Sequence, residues 1–167
     1  GGALAGDKRQ LTFVEFGATN GVTRSNSLSL EKTYNWTGVL AEPDTAWHEA
    51  LFANRTGAII CTDCVWHSTG EYLDFLSSEE GELSSLAAYA EHDLESMPGN
   101  TRLRNASGTI RKVRTISLND LVASHCNGKV PDYISIDTEG SEFDILSTFD
   151  FQEYGPTCFT IEHNFTT

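Results

Sequence analysis

Short apolar runs alternate with helix-like segments along this chain. Leu11-Thr12-Phe13-Val14-Glu15-Phe16 reads as a buried strand, and Gly17-Ala18-Thr19-Asn20-Gly21 after it reads as a tight turn of the kind glycine permits. A helix is predicted from about Ser25 to Tyr34, broken by Asn35-Trp36-Thr37-Gly38. Gly38-Val39-Leu40-Ala41-Glu42 is the second strand, stopped by Pro43. Asp44 suits the N-cap of the next helix, in which Trp47, Ala50, Leu51 and Asn54 share one face and which Gly57 ends. Ala58-Ile59-Ile60-Cys61-Thr62 is the third strand. This β-α-β-α-β order predicts a parallel sheet with helices on both faces.

The rhythm changes from His67 to Thr109, a stretch rich in Ser, Glu and Gly. Its pattern predicts a short strand around Tyr72–Phe75 and a helix near Leu83–His92. A region this long between core strands reads as a lid or a substrate-facing insertion. Val113-Arg114-Thr115-Ile116 alternates like an exposed strand, and Ser117 to His125 looks helical. Tyr133-Ile134-Ser135-Ile136-Asp137 is the fourth core strand. A helix starts at Ser141 with Phe143, Leu146 and Phe149 directed at the core, and Cys158-Phe159-Thr160-Ile161-Glu162 is the fifth strand. The organisation expected is a flexible lead over residues 1–10 and one α/β domain over 11–167, with an insertion at 67–112. A length of 167 residues suits a single core.

Charge narrows the partners. The net charge is −13, and Arg102, Arg104, Arg111, Lys112 and Arg114 are the nearest approach to a basic cluster, so nucleic acid and acidic membrane surfaces are not expected partners. No apolar run is long enough to span a bilayer. Cys61 and Cys64 form a CxxC with no second one to complete a zinc site, and with Cys126 and Cys158 they read as small buried hydrophobes. Sequons stand at Asn35, Asn54, Asn105 and Asn164. The Gly1–Gly6 lead lacks the charged start and apolar centre of a signal peptide, so reduced thiols and a cytoplasmic location are the default expectation.

In an open parallel sheet, ligands bind at the carboxyl ends of the strands, and here those ends carry the polar chemistry. The turn after the first strand presents backbone N–H groups at a helix start, suited to a carboxylate or phosphate. Taken alone it is no more than a strand-to-helix turn. Glu42 at the end of the second strand lies 21 residues past Gly21, the spacing of an acid that accepts hydrogen bonds from ribose hydroxyls. Together the two features favour an adenosine-containing ligand. Asp63, after the third strand, is a candidate for an adenine amino group, with Val65 or Trp66 against the ring. A plain exposed acid fits Asp63 equally well.

The fourth strand ends in Asp137-Thr138-Glu139-Gly140-Ser141-Glu142, three acids that repel one another and that stability alone would not cluster. They suit a cationic centre, a metal or an acceptor hydroxyl, although Glu142 also fits a helix N-terminal acid. The fifth strand ends in Glu162-His163-Asn164, beside Asp137 if the two strands are neighbours. Asp137 and Glu162 could supply oxygens to Mg²⁺, and His163 could serve as a general base.

These pieces in this order resemble the FkbM family of S-adenosylmethionine-dependent methyltransferases. The resemblance rests on Phe13-Val14-Glu15-Phe16-Gly17-Ala18-Thr19-Asn20-Gly21, Trp36-Thr37-Gly38-Val39-Leu40-Ala41-Glu42-Pro43, Tyr133-Ile134-Ser135-Ile136-Asp137-Thr138-Glu139-Gly140-Ser141-Glu142 and Ile161-Glu162-His163. It implies a Rossmann-like class I methyltransferase fold, a three-layer sandwich around a mostly parallel sheet, acting on hydroxyls of small molecules or sugars. By that resemblance Glu15, Gly17, Ala18, Thr19, Asn20 and Gly21 surround the methionine part of S-adenosylmethionine. Glu42 and Pro43 lie at the ribose, Asp63 and Cys64 near the adenine, and Asp137 near the transferring methyl. Asp137 and His163 are the expected catalytic pair.

The chain departs from the class I pattern in ending after the fifth strand, without the usual hairpin of strands 6 and 7. That predicts an edge strand covered by the N-terminal segment or by a second copy in a homodimer. Two other classes compete: a non-catalytic interaction module on the same fold, and a nicotinamide-dependent oxidoreductase. The oxidoreductase is weaker, because the first turn lacks the full dinucleotide fingerprint.

Overall fold

The computed structural model describes residues 9–78, 84–89 and 108–162. The first apolar run forms β1 (Thr12–Phe16), followed by α1 (Leu28–Tyr34), β2 (Thr37–Ala41), α2 (Thr45–Asn54) and β3 (Ile59–Cys61). Next come β4 (Cys64–Trp66), β5 (Tyr72–Ser77), β6 (Ser85–Leu86) and β7 (Thr109–Ser117). The last elements are α3 (Leu118–His125), β8 (Tyr133–Ile136), α4 (Glu142–Ser147), α5 (Phe151–Tyr154) and β9 (Cys158–Ile161).

Five strands make one sheet in the order β3-β2-β1-β8-β9, and every pairing in it is parallel. Successive side chains of a strand point to opposite faces, and β1 uses this to build two cores. Phe13 packs with Leu40 and Leu51 on the side of α1 and α2. Val14 and Phe16 face the other side, with Ile134, Leu121, Val122 and Ile145. Glu15 shares the face of Phe13, so a carboxylate is carried into the α1–α2 side of the sheet.

A second sheet, in the order β4-β7-β5-β6, stands beside the first. Here the structure corrects the reading of Val113–Ile116 as exposed. β7 is nine residues long, runs parallel to β4 and antiparallel to β5, and buries both Val113 and Ile116. Where a helix was expected from Leu83, Ser85–Leu86 pair with β5 and Ala87–Tyr89 make a single 3-10 turn. The rest of that expected helix lies outside the described residues, as do residues 1–8 of the expected lead.

Two helix faces also differ from expectation. In α4, Ile145 is fully buried while Phe143 is 81% exposed. Two residues apart on a helix is about 200°, so a helix that buries Ile145 must turn Phe143 outward. Phe149 is buried and Leu146 half-buried, as their spacing predicts. In α2 only Leu51 is fully buried. The helix ends at Asn54 instead of running to Gly57, because Arg55 leaves the helical path and turns inward as its C-cap. β9 is an edge strand whose four residues are all exposed, and among the described residues only β8 pairs with it. Among the described residues, no helix is long and apolar enough to cross a membrane.

Candidate functional site

The carboxyl ends of β1, β2 and β8 open onto one cleft of about 1010 Å³, counting its solvent-open mouth. The turn after β1 is possible because Gly17 has φ +78. A Cβ on Gly17 would lie 1.8 Å from the carbonyl oxygen of Asp137, so only glycine lets the ends of β1 and β8 approach this closely. The Gly17 amide donates to the Ala41 carbonyl at 3.2 Å, which ties the turn to the end of β2.

Glu42 is the centre of this arrangement. It is 4% exposed and lines the cleft. The Thr19 amide donates to its Oε2 at 2.8 Å and the Asp44 amide to its Oε1 at 2.8 Å. Each carboxylate oxygen keeps a further lone pair for a ligand hydroxyl. Burial is the largest influence on its acidity and raises its pKa to about 7, with the Asp44 charge adding to the rise and the two amides opposing it. Asp44 is the N-cap of α2, as predicted, accepting from the Ala46 amide at 3.0 Å. Its other oxygen accepts from Ser77 Oγ at 2.6 Å and Ser84 Oγ at 3.0 Å. One aspartate therefore fastens the second sheet to the end of β2, and Val65, Phe75 and Leu86 become the apolar far wall.

At the other end of the cleft, Asp137, Glu139 and Glu162 bring carboxylate oxygens within 4.8 Å of one another. Burial of Asp137, its hydrogen bond with Glu162, and the charges of Glu162, Glu139 and Glu142 raise its pKa to about 9. A shared proton thus offsets part of the repulsion. The spacing suits a hard cation, but a protonated carboxyl holds the cluster together equally well. Glu142 serves its own loop, accepting from the Thr138 and Gly140 amides at 3.0 and 3.1 Å.

The structure thus brings Glu15, Gly17, Ala18, Thr19, Glu42, Pro43, Cys64, Asp137 and Glu162 to one cleft wall. The Cys64 thiol is buried there and its pKa pushed up to about 12, first by burial and then by neighbouring acids. The structure does not bring Asn20, Gly21 or Asp63 to that wall. Asn20 closes its own turn, accepting from the Val22 and Thr23 amides. Gly21 faces away, with Arg55 and Leu51 where a Cβ would stand. Asp63 pairs with Arg114 at 2.9 Å, because β7 lies beside β4 and carries Arg114 to it. Trp66 is buried against Tyr89 and His67. His163 lies outside the described residues.

A family model described as the methyltransferase FkbM domain matches residues 15–167. The chain belongs to the FkbM methyltransferase domain family. No curated protein and no solved structure matches it. In this FkbM domain, sequence reasoning missed Phe75 and Ser135 on the cleft wall and Arg55 behind it. Phe75 arrives by long-range pairing of β5 with β7. A signal for Arg55 existed, since an acid in the middle of β1 needs a buried counter-charge.

Proposed function

We propose that this FkbM domain, on the Rossmann-like class I plan, binds S-adenosylmethionine in the cleft and methylates a hydroxyl of a small molecule or sugar. The observation that carries the reading is the meeting of the glycine turn and Glu42 at the end of the parallel sheet. The 2.8 Å bond from the Thr19 amide to Glu42 makes them one surface.

In this reading Gly17, Ala18 and Thr19 approach the amino-acid part of the cofactor through their backbone, while Glu42 accepts from the ribose hydroxyls. Cys64, Val65, Phe75 and Leu86 give the nucleobase an apolar slot. When bound, the cofactor supplies an activated methyl group on a positively charged sulfur. The chain's own work is to align the acceptor, exclude water and take a proton. Asp137 and Glu162 sit at the acceptor end and together hold one proton near neutral pH, a state that belongs to the pair. The remaining carboxylate charge is available to accept the proton of an acceptor hydroxyl. The reading also takes the outer edge of β9 as the contact of a homodimer, since four exposed residues and an outer edge unpaired among the described residues invite a second strand.

Incubation with methyl-labelled S-adenosylmethionine and a panel of hydroxylated small molecules and glycans tests the activity. Label appearing in an acceptor supports it. Binding without transfer to any hydroxyl would leave a non-catalytic module, and no binding would remove the cofactor from the account.

A further inference from the structure

The least expected residue in the molecule is Arg55, whose side chain is completely buried. A buried guanidinium is costly unless its donors are satisfied, and here every nitrogen has an acceptor. Nε donates to Glu31 Oε2 at 2.8 Å, and Nη1 donates to the Gly21 carbonyl at 2.9 Å and to Ser25 Oγ at 3.0 Å. Nη2 donates to Ser27 Oγ at 2.9 Å, and Glu15 Oε2 lies 3.9 Å from Nη1. The guanidinium also stands over the Phe13 ring, 5.6 Å from its centroid.

The bonds to Gly21, Ser25 and Ser27 end on one segment, the loop from the β1 turn to the start of α1, and Glu31 in α1 holds the guanidinium from its other side. Ser25 and Ser27, held by Arg55, donate in turn to Glu15. The other Glu15 oxygen accepts from the Asn26 amide at 2.9 Å. Held this way, the Asn26 side chain reaches across to Ser135 Oγ on β8 at 3.0 Å. Ser25, Asn26 and Ser135 line the cleft, whereas Arg55 does not touch it. Gly21 makes the arrangement possible, because a Cβ there would stand 2.5 Å from Arg55 Cγ.

We propose that Arg55 is a positioning residue that sets the loop wall of the cofactor cleft, by holding Glu15, Ser25 and Ser27 from behind. The inference rests on the reading of the cleft as a cofactor site. Arginine is required because one planar group must serve a backbone carbonyl, two hydroxyls and two acids at once. A lysine keeps the charge but has a single nitrogen and cannot reach them all. Of its partners, Glu15 and Ser25 line the cleft, and Ser27 reaches it through Glu15.

The test compares wild type, Arg55→Lys and Leu121→Ala, the last a core truncation in α3 that lowers the melting temperature without touching the cleft. A milder variant, Glu31→Gln, weakens the grip on Arg55 and covers the case in which Arg55→Lys fails to fold. Two readouts are taken at a temperature where every variant is folded: amide hydrogen exchange, and S-adenosylhomocysteine affinity by calorimetry. Arg55→Lys is expected to speed exchange at Asn26 and Ser27 and to weaken binding at least about tenfold. Glu31→Gln is expected to act in the same direction, and Leu121→Ala to do neither. Unchanged exchange at Asn26 and Ser27 in Arg55→Lys and Glu31→Gln overturns the clamp, with or without a ligand. Faster exchange with wild-type affinity overturns its link to the cleft. Wild type that binds no S-adenosylhomocysteine counts against the cofactor reading, and the exchange result then judges the clamp by itself.

Discussion

Thr19 and Glu42 are joined by a 2.8 Å hydrogen bond from backbone amide to carboxylate, across the carboxyl ends of β1 and β2. The bond orients an acid that burial holds at a pKa of about 7 against an ordinary 4.5. A raised carboxyl pKa has a defined sign in stability. Below about pH 4.5 both folded and unfolded chains hold the proton; as pH rises through 7 the folded chain must give it up at a cost. The shift corresponds to about 3 kcal/mol. Denaturant unfolding of wild type and Glu42→Gln at pH 5 and pH 8 checks this. Wild type is expected to lose about 2.5 kcal/mol of this relative to the variant between the two pH values, the rest having gone below pH 5. A parallel pH dependence in both proteins would show that Glu42 titrates normally.

Gly17→Ala is expected to be among the most damaging single changes in the chain. The new Cβ meets the Asp137 carbonyl oxygen at 1.8 Å, and the backbone is at φ +78. The two effects together should cost at least about 2 kcal/mol. Thermal unfolding measures it, and a melting temperature within a degree of wild type would mean that the strand ends are not this close.

Asp137→Ala separates chemistry from binding. On the proposal that Asp137 faces the acceptor, turnover is expected to fall by at least about 10²-fold. Cofactor affinity should change far less. Single-turnover product formation and calorimetry on the same preparation give both quantities. Equal losses in the two would move Asp137 from the chemistry to cofactor binding.

The edge of β9 offers a test of assembly. Cys158 and Glu162 donate their amides to Asp132 and Ile136 on the β8 side, so by strand alternation Phe159 and Ile161 turn theirs to the open edge. Light scattering after size exclusion is expected to find a dimer, and Ile161→Lys is expected to run as a monomer. A wild-type monomer at all concentrations would remove β9 as a self-contact.

The central strands β1, β2 and β8 were legible because strands buried on both faces read as largely apolar runs. Glycine and proline marked their ends. The second sheet was not legible to the same degree. β4 is three residues long, and its partner β7 is distant in sequence, so no local pattern announces the pairing. Phe143 looked like a core residue by composition, but a helix of six residues is too short for periodicity to set its phase. Much of the cleft wall could be read from the strand ends, while Asp63 could not, since its partner Arg114 arrives through that same long-range pairing. Arg55 was hidden because arginine ordinarily means surface; only the acids at Glu15 and Glu31 require it inside.

The most direct measurement is calorimetric titration of S-adenosylhomocysteine into wild type and Glu42→Ala. The account predicts one saturable site in wild type and a loss of at least about 1.4 kcal/mol, tenfold in Kd, in the variant. Absence of binding to wild type, or equal affinity in the two proteins, would contradict the claim that the glycine turn and Glu42 form a nucleoside site.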